Sequence, residues 1–240
     1  LELMTRGRYV EARHVFELLV ERDAPGEERD AAELKVARIL HLYEAKPADA
    51  LAHYDALAER GGAHAFEANK AIAEIYRYHY RDLEGALRVY QEMIDRFEGR
   101  ANVEPCYLAI AEIEEARGHY VEARAAYTRF LERFPDSPRA AGVAYQRAYT
   151  YSVEGKPQRA LEMLKEFDTP GIDAAVRADA EFARAEALME LDRERDALPI
   201  YQALRDTYPN RRIVETRIAK IQDRERQRLA AITRERTRGR

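Results

Sequence analysis

Residues Gly118–Pro135, GHYVEARAAYTRFLERFP, decide how this chain is read. Gly118 marks a turn and Pro135 a stop. Between them Tyr120, Ala123, Tyr127, Phe130, Leu131 and Phe134 recur at helical spacing, which predicts one amphipathic helix. Ala123 is the small residue on that apolar face. A glycine stands five positions before it, a tyrosine four after and a proline twelve after.

The same pattern returns along the chain. Ala12, Ala50, Ala86, Ala123, Ala160 and Ala197 stand 38, 36, 37, 37 and 37 residues apart. Four residues beyond each is a large side chain: Phe16, Tyr54, Tyr90, Tyr127, Leu164 and Tyr201. Five before each stand Gly7, Ala45, Arg81, Gly118, Gly155 and Asp192. Pro25, Pro135, Pro170 and Pro209 follow near the twelfth position. A period of this size indicates a solenoid of stacked repeats.

Each unit reads as two helices. The anchored B helices are predicted over 8–22, 47–60, 83–97, 119–133, 157–167 and 194–208. The A helices between them are predicted over 29–45, 64–80, 102–117, 139–154 and 173–191. Ala111, Ala148 and Ala185 precede their B-helix alanines by twelve. In the second and third units Ala37 and Ala73 sit one place early. Small residues on both helices let them approach closely, and the large residue one turn on fills the next groove. At the junctions, Ser137 is expected to cap a helix with Pro138 at its first position, and Thr169-Pro170-Gly171 is expected to form a similar turn.

Composition agrees. The chain has 240 residues, 46% of them hydrophobic and 35% charged, with only 11 glycines and 9 prolines. That suits an all-helical protein with much solvated surface. The net charge of −4 is unevenly placed: residues 211–240 carry eleven Arg and Lys against four acids. One cysteine, Cys106, excludes an internal disulfide framework and a cysteine-only metal site, and reads as a buried small hydrophobe. No run of 18 apolar residues is present, so no membrane span is expected.

The repeat resembles the tetratricopeptide repeat (TPR) family through Gly118, Tyr120, Ala123, Tyr127 and Pro135, with Ala111 on the preceding helix. The likeness covers about residues 1–209. It implies an all-α fold, a right-handed α-solenoid of helix-turn-helix repeats with a C-terminal capping helix. Repeats of about 37 residues with the junction Phe134–Ala140 are similar to those of bacterial cell-envelope proteins, such as the outer-membrane assembly lipoprotein and the Tol–Pal coordinator. Arg81 and Asp192 depart from the turn glycine, and the tryptophan often found early in the A helix is absent throughout.

The expected organisation is a solenoid over 1–209, a half repeat followed by five full ones, and a basic region over 210–240. Residues 211–229, with Val214, Ile218, Ile221, Leu229 and Ile232, are expected to cap the stack. The final RERTRGR is expected to fray. The chain opens Leu-Glu-Leu-Met inside a repeat, so an upstream segment or a partner is expected to cover Tyr9, Phe16 and Leu19.

For catalysis the motifs are missing: no His-Glu-x-x-His pair, phosphate loop, nucleophile elbow or dinucleotide fingerprint occurs. No enzyme activity and no cofactor are expected. Glu112, Glu115 and His119 share a helical face, which reads as a solvated charged face and not as a metal site. The arginines of the C-terminal region alternate with acids and lack interleaved aromatics, so a cap is favoured over a nucleic-acid contact. Fifteen tyrosines stand out. Tyr9, Tyr54, Tyr90, Tyr120, Tyr127 and Tyr201 are assigned to the core. In the TPR family the A helices line a concave groove that takes peptides or helices. The repeat frame turns Tyr78, Glu112, Glu115, Tyr145, Tyr149 and Phe182 toward such a groove, with Ile75 and Lys35 as weaker members.

The function implied is a non-catalytic scaffold for a protein or peptide partner in a bacterial envelope or secretion assembly, with the periplasm or an envelope-associated position as the expected location. The alternative is a regulatory or targeting domain of a larger polypeptide whose upstream part is an enzyme or sensor.

Overall fold

The computed structural model describes residues 2–22, 26–168 and 172–238. The described residues form helices joined by turns and short loops, with no strand among them. Its helices are α1 Glu2–Thr5, α2 Tyr9–Glu21, α3 Gly26–Leu42, α4 Pro47–Arg60, α5 Ala65–Glu74, α6 Leu83–Phe97, α7 Glu104–Ala116, α8 Tyr120–Arg133, α9 Ala140–Val153, α10 Pro157–Leu164, α11 Ala174–Glu190, α12 Glu194–Leu204 and α13 Arg211–Arg238. A π-helical stretch, Ile75–Tyr80, continues α5, and a 3₁₀ turn, Lys165–Asp168, continues α10. The fold is an α-solenoid of TPR-like hairpins.

The anchor alanines explain the stacking. Ala12 is 2% exposed, and Ala50, Ala86, Ala123, Ala160 and Ala197 are fully buried, as are Ala37, Ala73, Ala111, Ala148 and Ala185. With no side chain beyond Cβ, they allow close helix crossings. Tyr54, Tyr127 and Tyr201 then fill the space one turn on and are buried. Burying a ring of this size stabilises the fold by on the order of 2–3 kcal/mol. Tyr90 is buried as well, and Cys106 lies in the core, where burial pushes its thiol up to about 11.

The turns are equally regular. Gly7, Ala45, Arg81, Gly118, Gly155 and Asp192 all have positive φ, between 52° and 76°. Each therefore forms the left-handed stop of its A helix, although three are not glycine. In four hairpins the closing backbone bond reaches back five residues, as from His119 N–H to the Glu114 carbonyl. In the other two it reaches back six: Lys46 to Leu40 and Asp82 to Tyr76. These are the hairpins in which Ala37 and Ala73 stand one place early. The extra residue is absorbed at the helix end, in the third repeat as the π-helical stretch.

The chain forms two compact units, Leu1–Ile113 and Glu114–Arg240. In the first, α2 packs on α3, α3 on α4, α4 on α5 and α5 on α6. Its core joins Val36, Ala37 and Leu40 to Tyr54, Leu57, Ile72 and Ile75. In the second, each helix from α8 to α13 packs on the next, and α9 also touches α11. One core there joins Ala148, Ala160, Leu164 and Ala180. Another joins Leu161, Ala185, Tyr201, Val214 and Ile221.

A polar device repeats in both units. In the first, Arg13 Nε donates to Glu44 at 2.7 Å and Lys46 Nζ to the other oxygen at 2.9 Å. In the second, Arg124 Nη1 lies 2.7 Å from Glu154, and Lys156 Nζ donates to it at 2.6 Å. Each triad ties a B helix to the turn that follows the next A helix. Both carboxyls are held below the ordinary carboxylate range, chiefly by the lysine and then by the arginine.

Several expectations are corrected. Ser137 does not cap α9, because its Oγ accepts from Arg139 N–H in a turn before the helix starts at Ala140. The sixth B helix ends at Leu204 and contains Pro199, whose ring nitrogen cannot donate a helix bond. Helix α13 runs on to Arg238 instead of ending at 229, but only its first turns cap the stack. Val214 and Ile221 are buried there, whereas Leu229 and Ile232 are exposed. At the other end, Tyr9 stacks on Tyr43 at 3.9 Å and Phe16 packs against the first core, so neither lies on the open side of α2. The exposed apolar residues of α2 are Val10, Val15, Leu18 and Leu19. Pro25 and Thr169–Gly171 lie outside the described residues.

Candidate functional site

The predicted site residues fall in both units. In the first, Tyr78 is 64% exposed, with the Arg77 guanidinium 5.1 Å from its ring. Arg77 Nη2 also donates to Glu112 at 3.0 Å. Ile75, a weaker member of the predicted set, is fully buried, because it stands two residues after Ala73, the repeat position that is also buried at Ile39, Ile113, Thr150 and Ala187.

The first unit has its own cleft instead, of about 130 Å³. Leu34, Arg38 and His41 from α3 face Glu67, Lys70 and Glu74 from α5, with Tyr54 from α4 among the lining residues. Burial pushes the Tyr54 phenol up to about 12. The repeat frame missed this set by one position. Counted back from Ala37 and Ala73 instead of from Ala50 and Ala86, it points to Leu34, Arg38, Lys70 and Glu74.

In the second unit the predicted aromatics come together. Tyr145 and Tyr149, one turn apart on α9, stack with centroids 5.9 Å apart and 24° between planes. Phe167 meets the Tyr145 ring edge-on at 6.3 Å. Tyr145 is half-buried, and Tyr149 remains 39% exposed. On α11, Phe182 stacks on Tyr208 at 4.7 Å and 7°, and meets Tyr201 edge-on at 5.7 Å.

Asp179, one turn before Phe182 on α11, stands near enough to Tyr208 to act on its phenol. Burial first, and then Asp179, raise the phenol pKa of both Tyr145 and Tyr208. The site is thus two stacked ring pairs with a carboxylate that acts on one ring of each. Asp179 and Tyr208 were not predicted. Asp179 occupies the repeat position of Gly142, and Tyr208 belongs to no A helix.

The remaining carboxylate has an internal partner. Tyr127 OH donates to Glu115 at 2.6 Å, so that group is engaged by a core tyrosine. Tyr201 similarly donates to Glu186, which Arg217 of α13 also holds. His119 pairs with Glu114 at 2.9 Å, leaving it apart from Glu115.

Residues 104–144 match one tetratricopeptide repeat model and residues 179–211 another. Among curated proteins, none matches the chain by sequence. Among solved structures, the C-terminal part of a TPR repeat-containing protein from Cytophaga hutchinsonii is 18% identical, with 85% of this chain and 76% of that one covered and a TM-score of 0.61. BtubC (BKLC) from P. vanneervenii is 14% identical, with 83% and 88% covered and a TM-score of 0.59. Both likenesses concern the fold. Proteins built on such repeats generally mediate protein–protein interaction. With its left-handed turns, its buried alanines and both repeat models in agreement, the chain is a solenoid that carries tetratricopeptide repeats.

Proposed function

We propose that the chain is a non-catalytic scaffold that binds a peptide or protein partner on the A-helix face of its second unit. The observation that carries this reading is the pair of ring stacks, Tyr145 on Tyr149 and Phe182 on Tyr208, with Tyr149 still 39% exposed. Rings already packed against one another lose little freedom when a ligand covers them, so contact area comes at low entropic cost. Asp179 adds a negative charge beside them and favours a partner segment with a lysine or arginine next to an apolar side chain.

A place in a bacterial envelope or secretion assembly, periplasmic or envelope-associated, is the setting that the resemblance of the Phe134–Ala140 junction supports. The exposed Val15, Leu18 and Leu19 of α2 support a second contact, with an upstream segment or a partner, and so the alternative of a repeat domain within a larger polypeptide.

Affinity capture with the unsubstituted chain and with Tyr149→Ala tests the site. Tyr149 is partly exposed, so its removal leaves the fold in place. Specific partners should be recovered at least tenfold less with Tyr149→Ala and normally with Tyr78→Ala. Equal recovery with both variants would remove the α9–α11 face from the function.

A further inference from the structure

His41, at the end of α3, and His79, in the π-helical stretch, bring their Nε2 atoms to 3.1 Å. The rings stand at 66° with centroids 5.0 Å apart. His41 is only 9% exposed and lies edge-on to Tyr54 at 6.2 Å, so its ring is held in place. His79 is exposed. Both residues lie at the helix ends where the extra residue is absorbed, and the wide π turn carries His79.

Two imidazole nitrogens can face each other in two ways. In a neutral pair one N–H donates to the other ring's lone pair. Alternatively both lone pairs meet on one cation, with the ring protons on Nδ1. Two nitrogens bound to Zn²⁺ at about 2.0–2.1 Å in tetrahedral geometry stand about 3.3 Å apart. Neighbouring ligands of a square-planar Cu²⁺ or Ni²⁺ stand about 2.8 Å apart, and imidazole suits all three ions. The observed spacing lies between these values, so little side-chain movement is needed to admit an ion. The adjoining cleft carries Arg38 and Lys70 against Glu67 and Glu74, which balance formally, so it presents no net positive charge to an incoming cation.

We propose that His41 and His79 form a two-imidazole site for a divalent transition metal of the Zn²⁺ class. The ion would clip the end of α3 to the segment that follows α5. Among the described residues no group of three or more His, Cys, Asp or Glu could hold a metal. The remaining coordination positions therefore go to water, and the bound ion stays exchangeable.

The test uses the full chain without an affinity tag, titrated with ZnCl₂ by calorimetry and in thermal melts. One ion per chain should bind saturably and raise the melting temperature. His79→Gln, at an exposed position, should weaken binding at least tenfold. His119→Gln, whose imidazole pairs with Glu114, should leave it unchanged. Absence of saturable binding, or equal binding by His79→Gln, overturns the proposal. If circular dichroism shows His79→Gln to be unfolded, Cu²⁺ electron paramagnetic resonance on the unsubstituted chain decides. Coupling to two imidazole nitrogens supports the site, and coupling to one or none overturns it.

Discussion

Arg217 grips the Glu186 carboxylate with two hydrogen bonds, Nε to Oε1 at 2.7 Å and Nη2 to Oε2 at 2.9 Å. The pair joins α13 to the last A helix, and Tyr201 donates to the same carboxylate from the B helix between them. Two parallel bonds to one carboxylate are stronger and more specific than a single ion contact. Arg217→Ala should therefore destabilise the second unit by about 1–2 kcal/mol in urea unfolding. Deleting 211–240 should go further and strip hydrogen-exchange protection from α11 and α12 before α8 and α9. Even protection across the truncated unit would contradict this.

The alanine crossings should resist enlargement. Ala148 is fully buried beside Ala160 and Leu164. Ala148→Leu should cost about 1–3 kcal/mol, because extra methylenes force the helices apart. A chemical denaturation midpoint equal to that of the unsubstituted chain would show room that the packing does not suggest.

The left-handed turns give two predictions of opposite sign. Ala45 has φ 52° and is exposed, so Ala45→Gly should stabilise by about 0.5–1 kcal/mol by relieving the Cβ clash. Gly118 has φ 76°, and an added Cβ there meets open space. Gly118→Ala should therefore lose a similar amount, about 1 kcal/mol, through backbone strain alone. Thermal melts of the two variants should move in opposite directions.

Acid should weaken the fold in two stages. His41 is held below its ordinary value by burial and then by His79. Glu44 and Glu154 are held below theirs by their lysine and arginine partners. In each case the unfolded chain takes up the proton first, so the stabilisation is complete above the unfolded pKa and is lost as pH falls through the folded one. In metal-free protein the His41 contribution should start to fall below about pH 6.5, and the carboxylate contributions below about pH 4.3. Melting temperatures measured down the pH scale should show the later loss shrink in Glu44→Gln and Glu154→Gln.

Much of this was legible in the residues. Six alanines at one period disclose the hairpins, and the position five before each discloses the left-handed turn even where Arg81 or Asp192 replaces glycine. Tyr145, Tyr149 and Phe182 could be placed on one face because their repeats keep the twelve-residue spacing between alanines. The cleft around Arg38 and Lys70 was misplaced, because a single extra residue turns a helix by about 100°. Ala37 and Ala73 were the available signal. Tyr208, and the bond from Tyr127 to Glu115, were missed for another reason: a carboxylate held by a core phenol, or a ring reached from beyond a helix end, leaves no trace in periodicity.

The hairpins of the second and third repeats close over six residues where their neighbours close over five. Both closures leave the anchor alanines buried, so the junction behaves as a length-tolerant joint. A single-codon deletion within Ile75–Tyr80 should restore a regular α-helical end and still fold, whereas the same deletion within α8 would slide every apolar contact off its partner. Gene variants that gain or lose one residue at these helix ends should therefore survive as working proteins, and the solenoid can change the chemistry of its A-helix face there without rebuilding its core.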